Sequence, residues 1–178
     1  MNDYKIEKNS EIVEKSNQNR LIKISLFVVT VVMIVGISLF AWIDGSPVAS
    51  VSGGIAWQNH DKGIIMAKEQ KKKIFVYFHA AWCGYCRQME MSTFQNKALI
   101  DYMNENFIAI KVDSDVETKV AESYSVRGLP TSWFLKENSD RLSSMPGYID
   151  EKRLLTILKY VHTESYEKMS YSKFEKDM

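Results

Sequence analysis

Between residues 55 and 162 the apolar positions change period several times, and each change marks an element. The run Ile74–Phe78, IFVYF, is β-branched and aromatic with no polar interruption, which predicts a strand covered on both faces. Before it, DKGIIMAKEQKKK sets Ile64, Ile65, Ala67 and Lys68 at helical spacing. Its lysines Lys71–Lys73 suit the negative end of a helix dipole and predict a solvated helix end. From Gly84 to Phe107 there is no proline, and Met89, Phe94, Leu99, Ile100 and Met103 recur at roughly helical intervals; a helix broken near Ser92 and Thr93 is expected.

FIAIKVD (107–113) alternates as a strand, VETKVAESY (116–124) reads as a short helix, and TSWFL (131–135) as a third strand. A turn at ENSD (137–140) leads to a weak strand near RLSSM (141–145). The closing helix starts at Asp150, a plausible N-cap, and carries its stripe at Leu154, Leu155, Ile157, Leu158 and Val161. Helix, strand, helix, strand, helix, strand, strand, helix is the order of an α/β sandwich. The segment 163–178 is charged on most faces but holds Tyr166, Met169, Tyr171 and Phe174, so it reads equally as a docking helix or a frayed tail.

A different pattern precedes this domain. Ile24–Ile43 is twenty residues without a charge, long enough at 1.5 Å per residue to cross about 30 Å of hydrocarbon. A transmembrane helix over residues 21–43 is expected, with Trp42 as an interfacial anchor. Lys15, Arg20 and Lys23 precede the uncharged run Ile24–Ile43 and no Lys or Arg follows before Lys62, which sets the N-terminus in the cytoplasm and the rest outside. A cleaved signal would have a shorter apolar region of about 7–15 residues. Residues 1–20 read as a polar cytoplasmic tail and residues 44–54, DGSPVASVSGG, as a flexible tether. The chain is thus expected to be a single-pass protein of the cytoplasmic (inner) membrane with an extracytoplasmic, periplasmic domain. With 23 Lys and Arg against 22 Asp and Glu, it has no electrostatic footprint for nucleic acid.

The chain has two cysteines, Cys83 and Cys86, separated by Gly84 and Tyr85 and placed where the buried strand gives way to a helix. Free N–H groups and the positive dipole end favour a thiolate at such a place, which makes Cys83 the expected nucleophile. Cys86, one turn on, is placed to resolve a mixed disulfide. A structural staple is the bland alternative, but a bridge closing so short a loop removes little chain entropy. Two sulfurs are too few for a structural zinc site, and His60, His79 and His162 show no ligand spacing. A metallochaperone that presents the pair to a soft metal is the alternative from another class. About forty residues on, VRGLPTSWF places Pro130 just before a strand. A cis bond there would let Leu129 offer its N–H and C=O to an extended substrate; an ordinary trans proline opening an edge strand is the other reading.

These residues together resemble the thioredoxin superfamily, and in particular the membrane-tethered domains related to the C-terminal domain of the thiol:disulfide interchange protein DsbD. The likeness rests on Phe78, Ala80, Trp82, Cys83, Cys86, Arg87, Glu90, Thr93 and Phe94 in YFHAAWCGYCRQMEMSTF, and on VRGLPT. It implies a thioredoxin-like three-layer fold and a thiol-disulfide oxidoreductase whose only redox-active group is the dithiol, with no metal or other cofactor. Cys83 would attack, Cys86 resolve, Trp82 shield the pair, Gly84 and Tyr85 complete the active-site turn, and Leu129 and Pro130 shape the substrate groove. The implied partners are disulfide- or dithiol-bearing extracytoplasmic proteins and a membrane redox protein that supplies or removes electrons. Reduction of partner disulfides is the expected direction, with oxidase or isomerase as the alternative.

Three positions depart from the family. Tyr77 stands where many thioredoxins bury an aspartate, Gly-Tyr replaces Gly-Pro and matches disulfide isomerases such as DsbC, and Leu129 replaces a Thr, Ile or Val.

Overall fold

A computed structural model describes residues 53–178. The predicted span Ile24–Ile43, its flanks and most of the tether lie outside the described residues. Among the described residues no helix is long and apolar enough to cross a membrane.

The elements follow the predicted order, with additions. They are α1 (His60–Gln70), β1 (Lys73–His79), α2 (Gly84–Met91), a 3-10 turn (Thr93–Gln95), α3 (Lys97–Asn106), β2 (Phe107–Asp113), α4 (Thr118–Ser123), β3 (Thr131–Leu135), β4 (Arg141–Pro146), α5 (Glu151–His162), a second 3-10 turn (Ser165–Glu167) and α6 (Tyr171–Asp177). The strands form one sheet in the order β2-β1-β3-β4. β1 pairs parallel with β2 and antiparallel with β3, and β3 pairs antiparallel with β4. Beyond β2 the sheet gains one further bridge, at Gln58.

β1 is the centre, and its period-2 alternation sorts the two cores. Phe75 and Tyr77 face a cluster with Met89, Phe94, Leu99, Met103, Phe134, Leu154 and Leu158, so α2, α3 and α5 cover that side. Ile74, Val76 and Phe78 face Ala67, Ile110, Val112 and Ala121, so α1 and α4 cover the other. This is the expected three-layer α/β sandwich. β2 is buried on both faces over Phe107–Ile110, because helices cover it twice, and only its last residues alternate as predicted.

The helix break was anticipated and has a visible cause. Ser92 caps α2, and the hydroxyl of buried Thr93 donates to the Ile149 carbonyl at 2.7 Å, pulling the chain out of the α2 axis. Asp150 caps α5 by accepting from the Arg153 N–H at 2.9 Å.

α1 corrects the sequence reading. Ile65 is 59% exposed, and the buried positions of α1 are Gly63 and Ala67. The expected solvated lysine end also divides: Lys71 is an exposed αL cap, whereas Lys73 begins β1 with its side chain 9% exposed and its Nζ 2.6 Å from Glu164 Oε1. That hydrogen-bonded ammonium holds the Glu164 carboxyl below the usual range. Glu164 follows α5, and the segment after it forms the second 3-10 turn and α6. Tyr160 donates to the Met169 carbonyl at 2.6 Å and meets Tyr171 and Phe174 with ring centroids 5.6 and 5.3 Å away.

Gly63 permits the close approach of α1 to β2. A Cβ there would overlap Cγ1 and Cδ1 of fully buried Ile110. Gly63→Ala should therefore destabilise despite its better helix propensity: overpacking of about 1–3 kcal/mol against a helix gain of about 1 kcal/mol leaves a net loss of about 1 kcal/mol. A lowered urea midpoint checks this; an unchanged or raised midpoint contradicts it.

Candidate functional site

The strand Ile74–Phe78 ends at the sheet edge where α2 begins, and both cysteines sit at that junction. Cys83 is the N-cap of α2 in extended backbone (φ −77°, ψ 109°), and Cys86 lies in its first turn. The two form a disulfide with Cα atoms 5.2 Å apart. The Cys86 N–H donates to Cys83 Sγ at 3.1 Å, and the Arg87 N–H donates to the Cys83 carbonyl at 3.2 Å. The first of these aims a helix N-terminal donor at the sulfur itself, the arrangement that favours a thiolate over a thiol.

Exposure around the pair is uneven. Trp82 is 67% and Tyr85 65% exposed, and Gly84 is open to solvent. Cys83 keeps only 4% and Cys86 1%. Both cysteines are thus buried in the disulfide form, and a partner must approach Cys83 between two projecting aromatic side chains. The Trp82 indole N–H donates to Asp115 Oδ2 at 2.9 Å. Asp115 stands in the turn after β2, whose backbone N–H is itself held by Asp113 Oδ1 at 3.0 Å. Val116, next along that turn, is 78% exposed.

Pro130 is buried and its peptide bond with Leu129 is cis. Its carbonyl accepts from the Gly147 N–H at 2.7 Å, and the Thr131 hydroxyl donates to the Gly128 carbonyl at 2.7 Å, so the loop is tied on both sides. The antiparallel register Phe78↔Thr131 puts the start of β3 beside the end of β1, and so carries Leu129 and Pro130 to the end of the sheet that holds the cysteines. Leu129 is half-buried, packed against both cores. Its own N–H and C=O have no hydrogen-bond partner among the described residues.

Below the pair lies Tyr77 of β1. It is fully buried, and its hydroxyl donates to the Cys86 carbonyl at 3.2 Å. Burial, with Glu90 second, pushes that hydroxyl far above its ordinary pKa, so it stays protonated and acts as a donor. His79 stacks on the Tyr77 ring, and Glu90 meets both His79 and Lys111. Lys111 and Asp115 escaped the sequence reading because both reach the site from the β2 end, more than twenty residues from the nearer cysteine in the chain. Among the described residues no three metal-ligating side chains converge.

Residues 60–162, more than half of the chain, match the family model described as Thioredoxin-like domain. The chain belongs to the thioredoxin-like family. Thioredoxin-1 of Drosophila melanogaster is 36% identical over 87 residues, covering 49% of this chain and 77% of that protein. A solved thioredoxin from Thermus thermophilus superposes with a TM-score of 0.56 at 23% identity, covering 60% of this chain and 86% of the other. A DsbH oxidoreductase gives 0.55 at 15% identity, covering 67% and 92%. At these identities the two structures share the fold with this chain. A thioredoxin-like domain with a CxxC disulfide at a helix N-terminus is consistent with thiol-disulfide oxidoreductase activity.

Proposed function

We propose that this protein is a membrane-anchored, extracytoplasmic thiol-disulfide oxidoreductase that reduces disulfides of partner proteins. The observation that carries the reading is the Cys83 sulfur at the start of α2 with the Cys86 N–H aimed at it. In the reduced protein the Cys83 thiolate attacks one sulfur of a partner disulfide. A mixed disulfide forms and the other partner sulfur leaves as a thiolate. Cys86 then attacks the Cys83 sulfur, the partner's second sulfur departs, and the Cys83–Cys86 bond closes with two electrons transferred. Trp82, Tyr85 and Val116 offer apolar surface to the partner, and Leu129 offers its unpaired backbone groups for strand-like pairing.

The uncharged span Ile24–Ile43 and the basic residues before it support the anchor and the extracytoplasmic side. The likeness of Phe78–Phe94 to DsbD-related domains supports the reducing direction, with a separate membrane reductase restoring the dithiol. The full chain in detergent, supplied with dithiothreitol, should accelerate the reduction of insulin disulfides, and the Cys83→Ser variant should not. Equal rates for the two would remove the reading. Equilibration with glutathione then fixes the direction: a potential near about −270 mV supports the reductase, and one near about −120 mV an oxidase.

A further inference from the structure

Under the first turns of α2 lies a cluster of ionisable side chains that the two-cysteine exchange leaves unused. His79, at the end of β1, is 18% exposed at its side chain. Its imidazole lies parallel to the Tyr77 ring, with centroids 5.7 Å apart and 6° between planes. Nδ1 faces Glu90 Oε1 at 3.8 Å, and Lys111 Nζ holds the same oxygen at 3.0 Å. Nε2 has no partner among the described residues. Tyr77 joins this cluster to the backbone of Cys86, since its hydroxyl donates to the Cys86 carbonyl. Residues 77 and 79 share one face of β1, beneath the helix that carries Cys86 in its first turn and Glu90 one turn later.

Resolution needs Cys86 to shed a proton, and Cys86 is 1% exposed. A thiol of ordinary acidity, about 8.5, is only a few per cent ionised at neutral pH, so a base beside it sets the rate. The Tyr77 hydroxyl is held protonated and donates. A carboxylate is a weaker base than an imidazole by about two pKa units, and the Glu90 oxygen is engaged by Lys111. His79 remains. Burial first and Lys111 second hold it below the usual imidazole range, while Glu90, Asp113 and Glu117 pull the other way. It is therefore neutral at pH 7 and free to accept.

We infer that His79 is the proton acceptor for Cys86 in the resolving step and that Glu90 orients its imidazole. This rests on the oxidoreductase reading. The Cys86 S–H bond breaks and the proton passes to His79, directly or through one water. The electron pair left on sulfur forms the Cys83–Cys86 bond as the bond from Cys83 to the partner breaks. The departing partner thiolate recovers the proton, and His79 returns to neutral. Glu90 faces the imidazolium formed in between.

The test is single-turnover reaction of the reduced full chain with a chromogenic aryl disulfide, which releases one aryl thiolate on attack by Cys83 and a second on resolution by Cys86. Over about pH 5 to 9 the wild-type second phase should rise through an inflection below the ordinary histidine value of about 6.5 and level off. His79→Gln should lose that inflection and slow the second phase by about 10-fold at neutral pH, while a Cys83 phase persists. Glu90→Gln should move the inflection to lower pH, and it carries the test if His79→Gln does not fold. A His79→Gln second phase with wild-type rate and profile, or an unmoved inflection in Glu90→Gln, overturns the inference and leaves the exchange standing. A wild-type protein with no first phase sinks the oxidoreductase reading instead.

Discussion

Replacing Cys86 with serine is expected to halt exchange at its midpoint, so that mixed disulfides accumulate through Cys83, whereas Cys83→Ser should capture almost nothing. The asymmetry follows from the places of the two sulfurs. Cys83 is the helix cap, faces a backbone N–H at 3.1 Å and keeps the larger exposure; Cys86 is 1% exposed inside the first turn. Without Cys86 no neighbouring thiol can attack the mixed disulfide, and the intermediate is lost only by slow exchange with solution thiols. Non-reducing gels of cells or lysates expressing the full chain check this. Equal capture by both variants would show that neither position sets the order of attack, and predominant capture by Cys83→Ser would reverse the roles.

The second large effect lies in the core that holds the site. Phe75→Ala is expected to cost about 3–5 kcal/mol, a large part of the about 5–15 kcal/mol that a domain has in reserve. Phe75 is fully buried at the centre of the sheet, and its ring meets Phe134, Trp57 and Phe94 at centroid distances of 5.5, 6.2 and 6.3 Å. Those neighbours come from β3, from the segment before α1 and from the 3-10 turn after α2. They belong to separate elements tied down elsewhere, so the space cannot simply collapse. A urea midpoint lowered by that amount, with the slope unchanged, is the expected reading. A loss under about 1 kcal/mol would mean that this side of the core repacks freely.

How much of this was legible in the sequence depended on the range of the interaction. The strand at Ile74–Phe78, the break at Ser92–Thr93, the cap at Asp150 and the cysteine pair at a helix start are local patterns, and each was readable within a few residues. The cis bond at Pro130 was an expectation only in company with Cys83 and Cys86, and the structure has it. Long-range partners were not readable. Trp82 and Asp115 are 33 residues apart, and Lys73 and Glu164 are 91 apart. Lys73 therefore looked like part of a solvated lysine run. Helical spacing placed α1 correctly but not its rotation: Ile65 and Gly63 differ by two positions, and only the closeness of Ile110 decides that glycine faces inward. In the sequence Tyr77 stood out only as a departure from the aspartate of many thioredoxins. In the fold it is a buried donor to the Cys86 carbonyl, at 3.2 Å.

The account stands on the Cys83 sulfur being ionised at neutral pH because a helix begins at it. The direct measurement is the rate of alkylation of reduced full-length protein by iodoacetamide as a function of pH, with the modified cysteine identified by mass. The account predicts that Cys83 reacts first, with a midpoint inside the range of about 3.5–7.5. A midpoint at or above the value of about 8.5 for a free cysteine would contradict it.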